Sequence, residues 1–257
     1  MIKLVLRIRD GASAAEFRLE AEPNRTVLDL LERLRTGTVP VPAYRHSCHH
    51  GSCGTCGAVI NGLESLMCLT RVSDLAAPRP RLPGGPAIEP ELDDTGAVVV
   101  ALEPLARMTV VSGIAVEPGA VFSAIPMDTA YLLAVSDDGR SPLPADPSEA
   151  VAAQPPAFWR PSGRVRFEGC IECGLCVSAC PVAVPFIGPA ALAAVNRERE
   201  KRPDRSAAML QIAAASDGVG PCARHLACSR VCPQAVYPGK HIQLLRNALT
   251  AATAAGR

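Results

Sequence analysis

A chain of 257 residues stands at the size where single hydrophobic cores stop growing, so two domains are expected. Net charge is +1 at neutral pH and aromatic residues make up 4% of the chain, which excludes a nucleic-acid surface built on basic patches and stacking rings. No apolar run approaches the roughly 20 residues of a membrane span. The most apolar region, Ala97 to Ile125, is broken by Glu103, Arg107 and Glu117.

The N-terminus, Met1-Ile-Lys-Leu-Val-Leu-Arg-Ile-Arg-Asp10, lacks a signal-peptide apolar core and alternates like a strand, so the product is expected in the cytosol. There, eleven clustered cysteines point to metal or catalysis rather than disulfides. Ile2–Arg9 and Ala14–Ala21 read as strands joined by a turn at Asp10-Gly11. Thr26 can cap a helix from Val27 to about Arg35, with apolar positions at Val27, Leu28, Leu30, Leu31 and Leu34. Strand, strand, helix is the opening order of a β-grasp ferredoxin.

The first cysteine group follows. Cys48-His-His-Gly-Ser-Cys53-Gly-Thr-Cys56 has the plant-type C-x4-C-x2-C spacing, and Cys68 comes later. Gly57 to Ile60, the turn Asn61-Gly62 and Leu63 to Leu69 form a hairpin that returns Cys68 to the group. A Rieske arrangement is weaker, because Cys56 stands where its second histidine belongs. His46, His49 and His50 read as exposed loop residues beside the cluster.

Asp74 to Asp94, rich in Pro and Gly, reads as a loop, and Ala97 to Leu102 as the strand closing the first sheet. Leu105 to Gly113 crosses into the second domain, and Pro118 to about Tyr131 is expected to be helical. Ser136 to Pro161 is a connector ending near Trp159, a packing anchor.

Cys170-Ile-Glu-Cys173-Gly-Leu-Cys176-Val-Ser-Ala-Cys180-Pro181 has the spacing C-x2-C-x2-C-x3-C-P of bacterial-type ferredoxins, whose fourth cysteine ligates the other cluster of a pair. Three thiolates on one tight turn reach one cubane, and the fourth, at a helix start, points away. A second run must therefore send one cysteine back. It is Cys222-Ala-Arg-His225-Leu-Ala-Cys228-Ser-Arg-Val-Cys232-Pro233, the same motif with His225 in place of the middle cysteine. Phe186 to Asn196 reads as a helix entered through Pro189, and the charged stretch Arg197 to Arg205 as a solvated surface. Asp204 is expected to cap a helix from Arg205 to Ala215, and Lys240 to Ala254 forms a terminal helix. The eleven cysteines divide into two sets of four and one of three. Zinc usually takes two separated C-x2-C pairs, which the first C-terminal run does not provide.

A plant-type ferredoxin domain followed by a helical two-cluster domain resembles the iron–sulfur subunit of succinate dehydrogenase and fumarate reductase. The likeness covers nearly the whole chain and is carried by Ser47 to Cys56, Ala101-Leu-Glu-Pro-Leu105, Cys170 to Pro181, Phe186-Ile-Gly-Pro-Ala190 and Cys222 to Pro233. It implies an α+β protein. Residues 1–112 would form an N-terminal β-grasp plant-type [2Fe–2S] ferredoxin domain, and residues 113–257 a C-terminal all-α bacterial-type two-cluster domain. It implies [2Fe–2S] on Cys48, Cys53, Cys56 and Cys68, [4Fe–4S] on Cys170, Cys173, Cys176 and Cys232, and [3Fe–4S] on Cys180, Cys222 and Cys228. The implied work is electron relay from FAD in a flavoprotein subunit to quinone at membrane-anchor subunits, on the cytoplasmic side of the inner membrane. Pro181 and His225 would lie in the vicinity of the quinone, and no catalytic acid or base for succinate is expected here. Two features depart from the family pattern: no Trp follows Cys180, and His225 takes a position usually apolar or hydroxylic.

Overall fold

The computed structural model describes residues 1–9, 14–80, 87–117, 120–126, 129 and 169–255. The chain is α+β and divides into two compact units. One comprises Met1–Ala120 with Ile171–Ala179, and the other Val121–Cys170 with Cys180–Arg257.

The first unit is built on β1 (Ile2–Arg9), β2 (Ala14–Ala21), α1 (Val27–Arg35), β3 (Gly57–Ile60), β4 (Leu63–Leu66), α2 (Val72–Leu75) and β7 (Val98–Glu103). Five of these strands form a sheet in the order β2-β1-β7-β3-β4. β1 pairs in parallel with β7, and the other pairings are antiparallel. Alternation places Leu4, Leu6 and Ile8 of β1 in the core. The α1 boundary has a chemical cause. Thr26 Oγ1 accepts the Asp29 N–H at 3.1 Å and Asp29 Oδ2 accepts the Thr26 N–H at 2.9 Å, a closed capping box. The helix start is tied to the turn carrying Cys68, since Val27 N–H donates to Thr70 O and Leu28 N–H to Met67 O. Asn61 pins the β3–β4 turn to β7 by accepting the Ala101 N–H at 2.7 Å and donating to Val99 O at 2.8 Å.

Within the expected loop 74–94, α2 overlaps the start, and β5 (Arg79–Pro80) pairs with β6 (Ala87–Ile88). The expected crossing at Leu105–Gly113 contains β8 (Val110–Ser112), which pairs with β9 (Ala115–Val116), and both lie in the first unit. Of the helix expected over Pro118–Tyr131, the described residues hold a single 3-10 turn, Ala120–Phe122. The turn at Asp10-Gly11, the connector 136–161 and Trp159 lie outside the described residues.

The helices continue with α3 (Leu175–Ser178), which belongs to the first unit, then α4 (Pro189–Lys201), α5 (Ser206–Ala214), α6 (Ala227–Arg230) and α7 (Pro238–Ala255). Pro189 takes the first turn of α4, where its missing N–H is harmless. Residues Pro189 through Glu198 of α4 are buried on every side, with α5 and α7 packed against it. Two sequence expectations fail here. The solvated surface expected over Arg197 to Arg205 fails at its start, where Glu198 is wholly buried and Arg197 is 6% exposed, while Glu200, Pro203 and Asp204 are exposed. Nor does Asp204 cap α5: a 3-10 turn, Pro203–Arg205, leads directly into the helix, and no side chain caps it.

Candidate iron–sulfur sites

The plant-type loop runs from Tyr44 to Cys56 and is anchored from α1. Glu32 accepts the Tyr44 hydroxyl at 2.6 Å and the Arg35 guanidinium at 2.7 Å, and its carboxylate stands 3.5 Å from His46 Nε2. Arg35, with help from Tyr44 and His46, holds the Glu32 carboxyl below its ordinary range. Burial, reinforced by Glu32, pushes the Tyr44 hydroxyl up to about 12. His46 Nδ1 lies 3.2 Å from His49 Nε2, and His50 Nδ1 meets the Cys48 carbonyl, so that nitrogen carries the proton. All three histidines are outside the thiol set. The sequence reading passed over Glu32 and Tyr44, because a carboxylate on a helix surface carries no motif.

Cys48, Cys53, Cys56 and Cys68 are brought together, and their electrostatics show it. The Ser52 hydroxyl and the His50 backbone N–H stabilise the Cys48 thiolate, holding its pKa at about 5, with Cys53 contributing. Burial pushes the Cys68 thiol up to about 12, and Cys56 and the Cys48 charge push the same way. Among the described residues no three His, Cys, Asp or Glu side chains converge on a single metal ion. The C-x4-C-x2-C spacing, with Cys68 returned by the β3–β4 hairpin, is what suits a cluster whose ligands bind different irons.

Gly54, inside this loop, is required by both conformation and space. Its φ is +71°, and a Cβ there would lie 2.5 Å from Ile171 O and 2.9 Å from Cys173 Cβ. Gly96 has φ +77° with nothing within 4 Å of such a Cβ, so it isolates the backbone cost. Gly96→Ala is expected to cost about 1 kcal/mol and leave the iron content unchanged. Gly54→Ala should cost roughly 3 kcal/mol and deplete the [2Fe–2S] absorption. Denaturant unfolding and visible spectra of the two variants check this; equal effects would remove the steric argument.

The two C-terminal cysteine runs share one backbone. In the first, Glu172 and Gly174 are left-handed, with φ +53° and +76°, and α3 follows. In the second, Arg224 and Leu226 are left-handed, with φ +59° and +58°, and α6 follows. Residue by residue, Cys170 matches Cys222, Cys176 matches Cys228, Cys180 matches Cys232, and His225 takes the place of Cys173. Holding Arg224 and Leu226 in a glycine-like conformation costs energy, a strain characteristic of binding sites. The strain was invisible in the sequence, where only a glycine would have announced the turn.

In the second unit, Cys180 and Cys222 both act on Cys228. Burial raises the Cys228 thiol pKa, and the charges of Cys180 and Cys222 raise it further, against the Ser229 hydroxyl. Cys232 Sγ accepts the Val236 N–H at 3.3 Å. Cys173 and Cys176 belong to the first unit, and Cys170 and Cys232 to the second. His225 is exposed and its carbonyl accepts from Arg230; Pro181 is also exposed. A cavity of about 550 Å³ beside Cys222 and Cys228 is lined by Leu226, Tyr237, Lys240 and Arg246 among others, and His225 is not among its lining residues. Arg246 donates to the carbonyls of Val219 and Cys222 and so holds the loop carrying Cys222.

Comparison with known proteins gives these sites a family. Residues 5–123 match the 2Fe-2S iron-sulfur cluster binding domain, and residues 166–236 the 4Fe-4S dicluster domain. The fumarate reductase iron-sulfur subunit of Mycobacterium tuberculosis is 31% identical over 88% of this chain and 81% of its own length. That of Escherichia coli O6:H1 is 27% identical over 90% and 83%. The mitochondrial succinate dehydrogenase [ubiquinone] iron-sulfur subunit 1 of Oryza sativa is 23% identical over 86% and 69%. A chain of the Mycobacterium smegmatis Sdh1 complex in the apo form shares the fold, with TM-score 0.67 at 23% identity, covering 98% of this chain and 97% of that one. The chain belongs to the iron–sulfur subunits of the succinate dehydrogenase and fumarate reductase family.

Proposed function

We propose that the chain relays electrons between FAD in a flavoprotein subunit and a quinone at membrane-anchor subunits, through three clusters held by all eleven cysteines. The observation that carries this is the duplicated backbone of the two C-terminal cysteine runs, left-handed at Glu172 and Gly174 and again at Arg224 and Leu226, in a chain that also has the plant-type cysteine spacing. The [2Fe–2S] cluster takes Cys48, Cys53, Cys56 and Cys68, [4Fe–4S] takes Cys170, Cys173, Cys176 and Cys232, and [3Fe–4S] takes Cys180, Cys222 and Cys228. Iron–sulfur clusters supply one-electron carriage, which matches a two-electron flavin to a quinone reduced in single steps.

The chain's own residues shape the sites. Ser52 and the His50 N–H stabilise sulfur charge at Cys48, and the Val236 N–H does so at Cys232. The cavity beside Cys222 and Cys228 has the volume of a small-ligand site, largely apolar with cations at Lys240 and Arg246, which suits a quinone ring with polar oxygens. Pro181 and His225 are assigned to its vicinity. No helix among the described residues is long and apolar enough to cross a membrane. The family likeness supports a subunit held peripherally by its partners, and its place is assigned here to the cytoplasmic face of the inner membrane. The relatives carry both names, and succinate oxidation is the direction assigned here, with a fumarate reductase or another flavoenzyme using a non-quinone acceptor as the alternative.

Iron and sulfide analysis of the purified native complex, with succinate-dependent quinone reduction, tests this reading. Roughly nine irons per copy of this chain are expected. Stoichiometric zinc, or fewer than about seven irons in fully loaded protein, overturns the three-cluster assignment.

A further inference from the structure

Ser178 lies between Cys176 and Cys180 and is 7% exposed. Its hydroxyl donates to Glu64 Oε1 at 3.1 Å and accepts the Ala106 N–H at 2.9 Å. Glu64 stands on β4, the strand that runs on to Cys68, and Ala106 follows the end of β7. One hydroxyl thus joins the strand feeding one thiol set to the short helix between the thiols of the next two. It does so across 114 and 72 residues of chain. Its single proton and one of its lone pairs are both committed to this joint.

Packing alone does not make this joint specific. Gly57, beside Cys56, lies against the Cys173 carbonyl, and Gly174 lies against Met108, but such contacts are non-directional. The bond to Glu64 is directional and charge-assisted, the stronger kind. Electron transfer between two fixed carriers falls steeply with their separation, so a device that fixes separation acts on rate rather than on binding. We propose that Ser178 and Glu64 are positioning residues of the relay, setting the separation between the [2Fe–2S] and [4Fe–4S] clusters. This rests on the ligand sets assigned above.

The test uses the reduced complex, where both clusters are paramagnetic and the [4Fe–4S] spin relaxes its [2Fe–2S] neighbour. Ser178→Ala and Glu64→Ala are each expected to lower the half-saturation power of the [2Fe–2S] EPR signal at least about twofold, with iron content as in wild type. The pair should add nothing beyond Ser178→Ala, since Ser178→Ala already breaks the bond that Glu64→Ala removes. Glu64→Gln, whose Oε1 still accepts, should keep wild-type saturation. Unchanged saturation in both alanine variants, or damage by Glu64→Gln equal to that by Glu64→Ala, overturns the proposal. If Ser178→Ala loses a cluster outright, Glu64→Ala decides alone. Absence of either signal in wild type condemns the ligand assignment instead.

Discussion

Cys232→Ala is expected to remove the [4Fe–4S] cluster, although the other three thiols assigned to it lie more than fifty residues earlier. Iron should fall by about four per chain, and the [3Fe–4S] signal of the oxidised protein should survive. The reason is the duplicated backbone. Left-handed residues at Glu172 and Gly174 match those at Arg224 and Leu226, so each run carries its first cysteine ahead of a tight turn, Cys176 or Cys228 on the short helix that follows, and its last cysteine just past that helix. Cys180, from the first run, acts on Cys228 of the second, as does Cys222, which is what crossed ligation requires from the other side. By the same pattern Cys232 serves the cluster of the first run. Metal binding is folding energy in such sites, so the variant should also unfold at lower temperature. Iron analysis with EPR of both redox states checks it. Loss of the [3Fe–4S] signal with [4Fe–4S] intact would falsify crossed ligation.

The legible parts of this chain are those where one residue type admits one conformation or one partner. Thr26 and Asp29 give a closed capping box where a cap was expected, and Ile2–Arg9 and Ala14–Ala21 alternate and pair as read. Cysteine spacing is similarly binding, because thiolates at fixed intervals on a turn reach a cluster in few ways. The sequence failed where tertiary context overrides composition. Eight of the nine residues from Arg197 to Arg205 are charged, yet Arg197 and Glu198 fall on the buried stretch of α4, where Glu198 pairs with Arg202 and Arg205. Glu32, Tyr44, Glu64 and Ser178 were unreadable for a related reason. Their partners lie 12 to 114 residues away, and no local pattern announces a hydrogen bond closed by folding.

Glu198→Ala is expected to cost about 3 kcal/mol, the low end for breaking a buried pair. Its carboxylate is wholly buried and sits 2.7 Å from Arg205 Nη1 and 3.5 Å from Arg202 Nη1. It joins the last turns of α4 to the 3-10 turn Pro203–Arg205, and the Arg202 N–H adds a bond to its carbonyl. The arginine side chains are 20% and 30% exposed, so water screens them in part, and this keeps the expected cost near the low end. Alanine also leaves a hollow where the buried carboxylate was. The melting temperature of the holo chain should fall by roughly 10 °C, taking 2–4 °C per kcal/mol for a chain of this size. The origin can be separated by a second variant. Glu198→Leu alone should be about as harmful as alanine, because a guanidinium is left facing an apolar group. Combining it with Arg205→Leu removes both charges, and the pair should then recover more than half of the loss, as replacement of whole buried ion pairs does. If Glu198→Ala shifts the melting temperature by less than about 2 °C, the carboxylate contributes no more than a surface charge, and the first expectation for this stretch was energetically right.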